Sequence, residues 1–105
     1  MYIILYSFQV KPKQEQNFIA AWKDLTNLIY KYEGSLGSRL HKQKEYQYIA
    51  YAQWPDASTF KASGENLPKQ EADTARSLMR AACEKIEILQ ELDVVEDLLK
   101  TKPNH

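Results

Sequence analysis

Apolar positions alternate along the first and last strand-like runs of the chain and recur with a helical period in the longer segments between the strands. Residues 2–10 form the first period-two run. Tyr2, Ile4, Tyr6, Phe8 and Val10 make one face, while Ile3 and Leu5 begin the other, which turns polar at Ser7 and Gln9. The run predicts a strand closed by Pro12. Over 13–32, Phe18, Trp22, Leu25 and Ile29 are spaced by four, three and four, with Ala21, Leu28 and Tyr32 beside them. Gln14, Glu15, Gln16, Lys23, Asp24 and Lys31 take the other side, so an amphipathic helix is predicted, with Pro12 near its first turn and Gly34 as its C-terminal cap. Residues 36–43 and 47–54 predict two strands joined through Lys44-Glu45-Tyr46, a hairpin. A short helix follows from Pro55-Asp56-Ala57 to about Ala62, and Ser63-Gly64-Glu65-Asn66 breaks the chain. Pro68 opens a further helix to about Cys83, striped by Ala72, Ala75, Met79, Ala82 and Ile86 and widened by Leu78. Residues 85–92 predict the last strand, with Ile86, Ile88 and Leu92 alternating with Glu87 and Glu91, and Leu89 as an exception.

The order strand, helix, strand, strand, helix, strand predicts an α+β fold of the ferredoxin-like βαββαβ kind: an antiparallel four-stranded sheet with helices on one face. The first strand is apolar on both sides at Ile3 and Leu5, which a sheet with one wet face does not explain. The helix-free side is therefore expected to meet a second copy of the chain, closing a dimeric α+β barrel. The segment from Asp93 to Lys100 keeps Val94, Val95, Leu98 and Leu99. Such residues have little reason to stay in a free tail, and they are expected to cover the partner. One domain is expected over residues 1–100, with 101–105 a disordered end.

Composition narrows the function classes. Lys plus Arg and Asp plus Glu number 14 each, so no net charge draws the chain to nucleic acid or to a membrane surface. Hydrophobic residues at 44% and charged residues at 27% fit a globular domain of 105 residues. The apolar start lacks a preceding basic residue and a small-residue cleavage site, and it is too short to span a bilayer. The lone cysteine, Cys83, cannot pair within the chain and reads as a small buried hydrophobe near a helix end. A cytoplasmic protein is expected. Two histidines and one cysteine make no metal set, and three glycines, at 34, 37 and 64, make no phosphate loop.

The candidate chemistry sits on the strands. His41 is the single histidine ahead of the tail and could act as a general base. Arg39, two residues earlier, shares its face and could hold an anionic oxygen. Each also has a plainer reading, as a wet strand histidine and as a cross-strand ion-pair partner. Tyr6, Tyr48 and Tyr51 could wall a pocket for a flat aromatic molecule, or simply be good strand residues. Tyr48 and Tyr51 fall on opposite faces. Trp54 shares a face with Tyr48, Ala50 and Ala52, whose small side chains leave room for helix residues or for a ligand.

Val10-Lys11-Pro12, then Phe18 and Trp22, then Glu33-Gly34-Ser35-Leu36-Gly37-Ser38-Arg39, then Tyr51-Ala52-Gln53-Trp54 and Phe60 together resemble the antibiotic biosynthesis monooxygenase domain. The resemblance runs from Met1 to Phe60 and, more loosely, through Val94-Val95-Glu96-Asp97-Leu98. It implies a homodimeric α+β barrel. Among such proteins some oxidise aromatic polyketides or quinols with O₂ and neither metal nor flavin, some bind and degrade haem, and some act on small signalling molecules. Polyketide-oxidising relatives carry an Asn and a Trp four apart where this chain has Thr59 and Ser63. Haem-degrading relatives carry a Trp and a His that fall near Ser63 and Asp73. The implied function is a cofactor-independent monooxygenase for a small aromatic or enolisable substrate, with His41 as base, Arg39 as anion holder, and Tyr51, Trp54, Tyr48 and Tyr6 around the pocket. The alternatives are a non-catalytic small-molecule-binding or sensing dimer and a haem-binding protein.

Overall fold

The computed structural model describes residues 1–100; the expected disordered end lies outside the described residues. Seven elements follow in order: β1 (Tyr2–Val10), α1 (Glu15–Tyr32), β2 (Gly37–Lys44), β3 (Gln47–Trp54), α2 (Ala57–Lys61), α3 (Lys69–Ala82) and β4 (Cys83–Asp93). The strands form one antiparallel sheet in the order β2-β3-β1-β4. The expected ferredoxin-like α+β architecture is the observed one.

Alternation decides which side of each strand is dry. Tyr2, Ile4, Phe8 and Val10 of β1, and Tyr48, Ala50, Ala52 and Trp54 of β3, are all buried. They share a face because Tyr2 pairs with Trp54, Ile4 with Ala52, Tyr6 with Ala50 and Phe8 with Tyr48. Helix α1 lays Phe18, Ala21 and Leu25 against this face. The Phe18 ring, fully buried, lies 4.9 Å from Phe8 and 5.3 Å from Tyr48 between centroids. Helix α3 docks on α1 through Ala72 and Ala75, small residues that let Leu25 close the gap.

Several boundaries differ from the sequence pattern for local reasons. Helix α1 begins at Glu15 rather than 13 because Lys13 adopts a left-handed φ of 67°. At its other end Gly34 has φ 79°, and a Cβ there would stand 3.3 Å from Thr59 Cγ2. Strand β4 starts at Cys83, directly where α3 ends, because Cys83 is already extended. Its pairing with β1 shifts register between Leu5 and Tyr6, which face Gln90 and Ile88. Leu89 is thus the extra residue of a β-bulge, and the exception in the alternation is explained. The bulge also corrects the expected grouping: Ile86 and Ile88 face the helices, but Leu92 pairs with Ile3 on the helix-free side.

Candidate functional site

A cavity of about 280 Å³ lies between the helix-facing side of the sheet and the three helices. Two central strands supply its floor: Tyr6 and Phe8 from β1, Ala52 and Trp54 from β3. Ala50 and Ala52 behave differently. Ala50 packs with Phe8 and Phe18, so helix side chains fill the room above it. Ala52 instead lines the open space, beside the Trp54 indole. Trp22, Thr26 and Ile29 of α1 form one wall, Arg76 and Met79 of α3 another. Phe60 and Ser63 close one end.

That end is held by two carboxylates. Asp56 caps α2, accepting from the Thr59 amide at 2.8 Å, the Thr59 hydroxyl at 2.7 Å and the Ser58 hydroxyl at 2.9 Å. These bonds, those from Thr59 first, hold the Asp56 carboxyl below its usual pKa. Glu33, buried at the C-terminal cap of α1, accepts from the backbone amide of Gly64, from the Asn66 amide at 3.2 Å and from Asn66 Nδ2 at 3.2 Å. It ties the segment between α2 and α3 to the end of α1. Ser63 donates to the Phe60 carbonyl at 2.7 Å and turns its residue toward the cavity.

The indole of Trp54 is 4% exposed, and its Nε1 has no hydrogen-bond partner among the described residues. Phe60 meets it edge-on at 5.5 Å and 65°. Around the cavity the ionisable side chains are Tyr6 and Arg76. Burial, and secondarily the Glu91 carboxylate, pushes the Tyr6 phenol up, so it stays a proton donor at neutral pH. Arg76 Nη1 lies 3.7 Å from Asp73 Oδ1, with the two side chains 36% and 57% exposed.

The six residues expected to share a site do not converge within one protomer. Tyr6 and Trp54 line the cavity. Tyr48 is on the same face but is committed to the core: its hydroxyl donates to Glu15 Oε2 at 2.7 Å, and burial with that bond raises its pKa to about 12. Arg39, His41 and Tyr51 project from the opposite face, where Arg39 pairs with Tyr51 and His41 with Ile49. The sheet stands between the two groups because Tyr51 and Trp54 differ by an odd number of residues. His41 Nδ1 is 3.1 Å from the Ile49 carbonyl oxygen. In the tautomer that donates there, Nε2 keeps a free lone pair.

Arg76 and Thr26 were not singled out from sequence, and Glu33 appeared only within the run that carries the resemblance, without a role. For Arg76 a signal existed: it lies four residues after Ala72 and three before Met79, a charge set in the apolar stripe of α3. Glu33 carried none, since its three donors come from a segment that only the folded chain brings near. Cys83 is buried as expected, and burial raises its thiol to about 11. Among the described residues no cluster of three or more His, Cys, Asp or Glu is placed to hold a metal, and no helix is long and apolar enough to cross a membrane.

Comparison with known proteins places this geometry. The family model described as antibiotic biosynthesis monooxygenase matches residues 1–72, from β1 into the start of α3. The chain belongs to the antibiotic biosynthesis monooxygenase family. SnoaB of Streptomyces nogalater, a cofactor-independent oxygenase, has a similar structure: TM-score 0.75, 16% identity, 94% of this chain and 97% of SnoaB covered. A candidate antibiotic biosynthesis monooxygenase of Caulobacter crescentus superposes with TM-score 0.73 at 21% identity, covering 90% of each chain. One from Nitrosomonas europaea gives 0.72 at 12% identity, over 91% of this chain and 100% of that one. No curated protein matches the sequence. At these identities the solved structures establish a shared fold, and proteins of the family are commonly dimeric. Thr59 and Ser63, where the resemblance to polyketide-oxidising relatives implies Asn and Trp, differ in their settings. Thr59 is engaged in the α2 cap, and only Ser63 reaches the cavity.

Proposed function

We propose that the protein is a cofactor-independent monooxygenase for a small aromatic or enolisable molecule, and that the cavity over Ala52 is where the molecule binds. The observation that carries this reading is the ring-walled space itself, with Tyr6 and Trp54 on its floor and an indole N–H left without a partner. A flat substrate fits such walls, and one of its oxygens would satisfy the donor. The chemistry balances without a metal or flavin. An enolisable methylene loses a proton, and its carbanion passes electrons to O₂. One oxygen atom becomes a carbonyl on that carbon, the other leaves as water with both methylene hydrogens, and all four electrons come from the substrate. The protein's part is to hold the anion dry and flat beside O₂.

In this reading the working unit is a homodimer joined through the helix-free face and the C-terminal segment. Leu5, Ile49 and Tyr51 are only partly covered there, and Leu89 and Leu92 are 43% and 42% exposed. Val95, Leu98 and Leu99 are 91%, 86% and 78% exposed, so they are largely uncovered by the described residues of their own protomer.

A second location for the same chemistry uses that other face. His41 would be the base, Arg39 the anion holder and Tyr51 the wall, enclosed by the second copy. The free Nε2 of His41 favours it. The non-catalytic binding reading is favoured by the engagement of Thr59 in the cap. Oxygen uptake with a panel of anthrones and quinols separates these. Uptake that survives chelation and needs no added flavin is expected. Binding without uptake by any member of the panel would leave a sensor rather than an enzyme.

A further inference from the structure

The cavity wall carries a charge imbalance that the proposed reaction alone does not require. Of its ionisable groups, Tyr6 is a neutral donor at physiological pH and Arg76 is a permanent cation. Among the described residues no Asp, Glu or His lines it. The contact of Arg76 with Asp73 is loose, since 3.7 Å exceeds a hydrogen bond and the Asp73 carboxylate is 57% exposed. The guanidinium is therefore left to pair with whatever enters. With no carboxylate or imidazole among the described wall residues, none of them is suited to take a proton from a neutral substrate. An anion in an apolar cavity needs a cation beside it, or its desolvation is prohibitive. The volume, about 280 Å³, lies at the lower edge of small-molecule sites, roughly 300–1,000 Å³, which favours one or two fused rings over a tetracycle.

We propose that the cavity selects a flat one- or two-ring oxyanion, a phenolate or enolate already ionised in water, and that Arg76 is the residue that sets this preference. The inference rests on the cavity being the substrate site. Such a molecule sheds its proton before entry, and the guanidinium takes the anionic oxygen while Trp54, Phe60 and Tyr6 confine the rings. Arg76 is a specificity residue, not an acid or a base.

The test is calorimetric titration of the full chain with lawsone, a two-ring hydroxyquinone ionised at neutral pH, and with its neutral O-methyl ether. The wild type should bind lawsone about tenfold or more tightly than the ether, as expected for a charge-assisted contact. Arg76→Gln should bring that ratio to about twofold or less and leave the ether's affinity within about twofold, while Arg76→Lys keeps most of the preference. If Arg76→Gln does not fold, the wild type still decides. Lawsone binding should weaken as pH falls through the ligand's own ionisation, and ether binding should stay flat. Equal affinity for the two ligands, a preference that survives Arg76→Gln, or no binding of either overturns the proposal. Binding is read without turnover. Failure of every one- or two-ring quinol to consume oxygen would remove the oxygenase reading and leave the anion site standing, and equal binding would do the reverse.

Discussion

The two faces of the one sheet are built from the same strands yet meet opposite fates. On the helix-facing side Ile4, Phe8, Val10 and Ala50 are at most 3% exposed, and rings from α1 interlock with them. On the other side Ile3 is equally buried, at 4%, but the Leu5, Ile49 and Tyr51 around it are not, and β2 adds Arg39 and His41. The first face is complete within one chain. The second is an apolar strip with polar edges that one protomer leaves uncovered. The contrast teaches that burial in this fold is uneven: the helices build a core with a cavity left inside it, and the rest is the face through which the proposed homodimer would join.

The sharpest test of the helix-facing side is Phe18→Ala. It empties the centre of the core and should cost about 3–5 kcal/mol, read by urea or thermal unfolding. A loss below about 1 kcal/mol would mean that the face is not the core described. The helix-free side is probed by Leu5→Asp. Buried against a second copy, the new charge should raise the dimer dissociation constant about a hundredfold or more, and light scattering should then find a 12.2 kDa particle. A wild type already of that mass at micromolar concentration would break the comparison outright.

Glu33→Ala strips three donors of their acceptor and should destabilise by about 1–3 kcal/mol. Amide exchange at Gly64 and Asn66 should quicken, because their bonds end on that carboxylate. Tyr48 gives a pH test. Its phenol has an ordinary pKa of 10.0 and is held at about 12 in the fold, by burial first and by Glu15 second. The folded state thus favours the protonated form. The contribution is intact below pH 10 and is lost as pH rises toward about 12. Tyr48→Phe should flatten that alkaline decline and cost about 1 kcal/mol at neutral pH. The smallest expected effect is His41→Ala, within about 0.5 kcal/mol in stability. Turnover should be retained if the cavity is the site. Lost turnover with an intact fold would move the chemistry to the helix-free face.

The strand and helix pattern was readable because each element carries its own period. Tyr2 to Val10 show two faces, and Phe18, Trp22, Leu25 and Ile29 trace one side of a helix, whatever they pack against. The same parity already separated Tyr48 from Tyr51. Faces that belong to different strands are another matter. Whether Arg39 and His41 share a side with Trp54 depends on the β2-β3 register, and the bulge at Leu89 turned Leu92 over against the local alternation. The cavity was less legible still, because an empty space is defined by side chains that fail to arrive, and nothing in Ala52 alone says that it will line one.

The sequence by itself determined the order of elements, the two-sided apolarity of β1 and the placing of a cation within the apolar stripe of α3, since each depends on neighbours within a few residues. Only the tertiary structure decided that Arg76, Trp54 and Phe60 surround one space, that Glu33 holds a segment some thirty residues away, and that His41 looks out from the opposite side. Those facts depend on strand register and helix docking, which are set by the packing of the whole core rather than by any local run of residues.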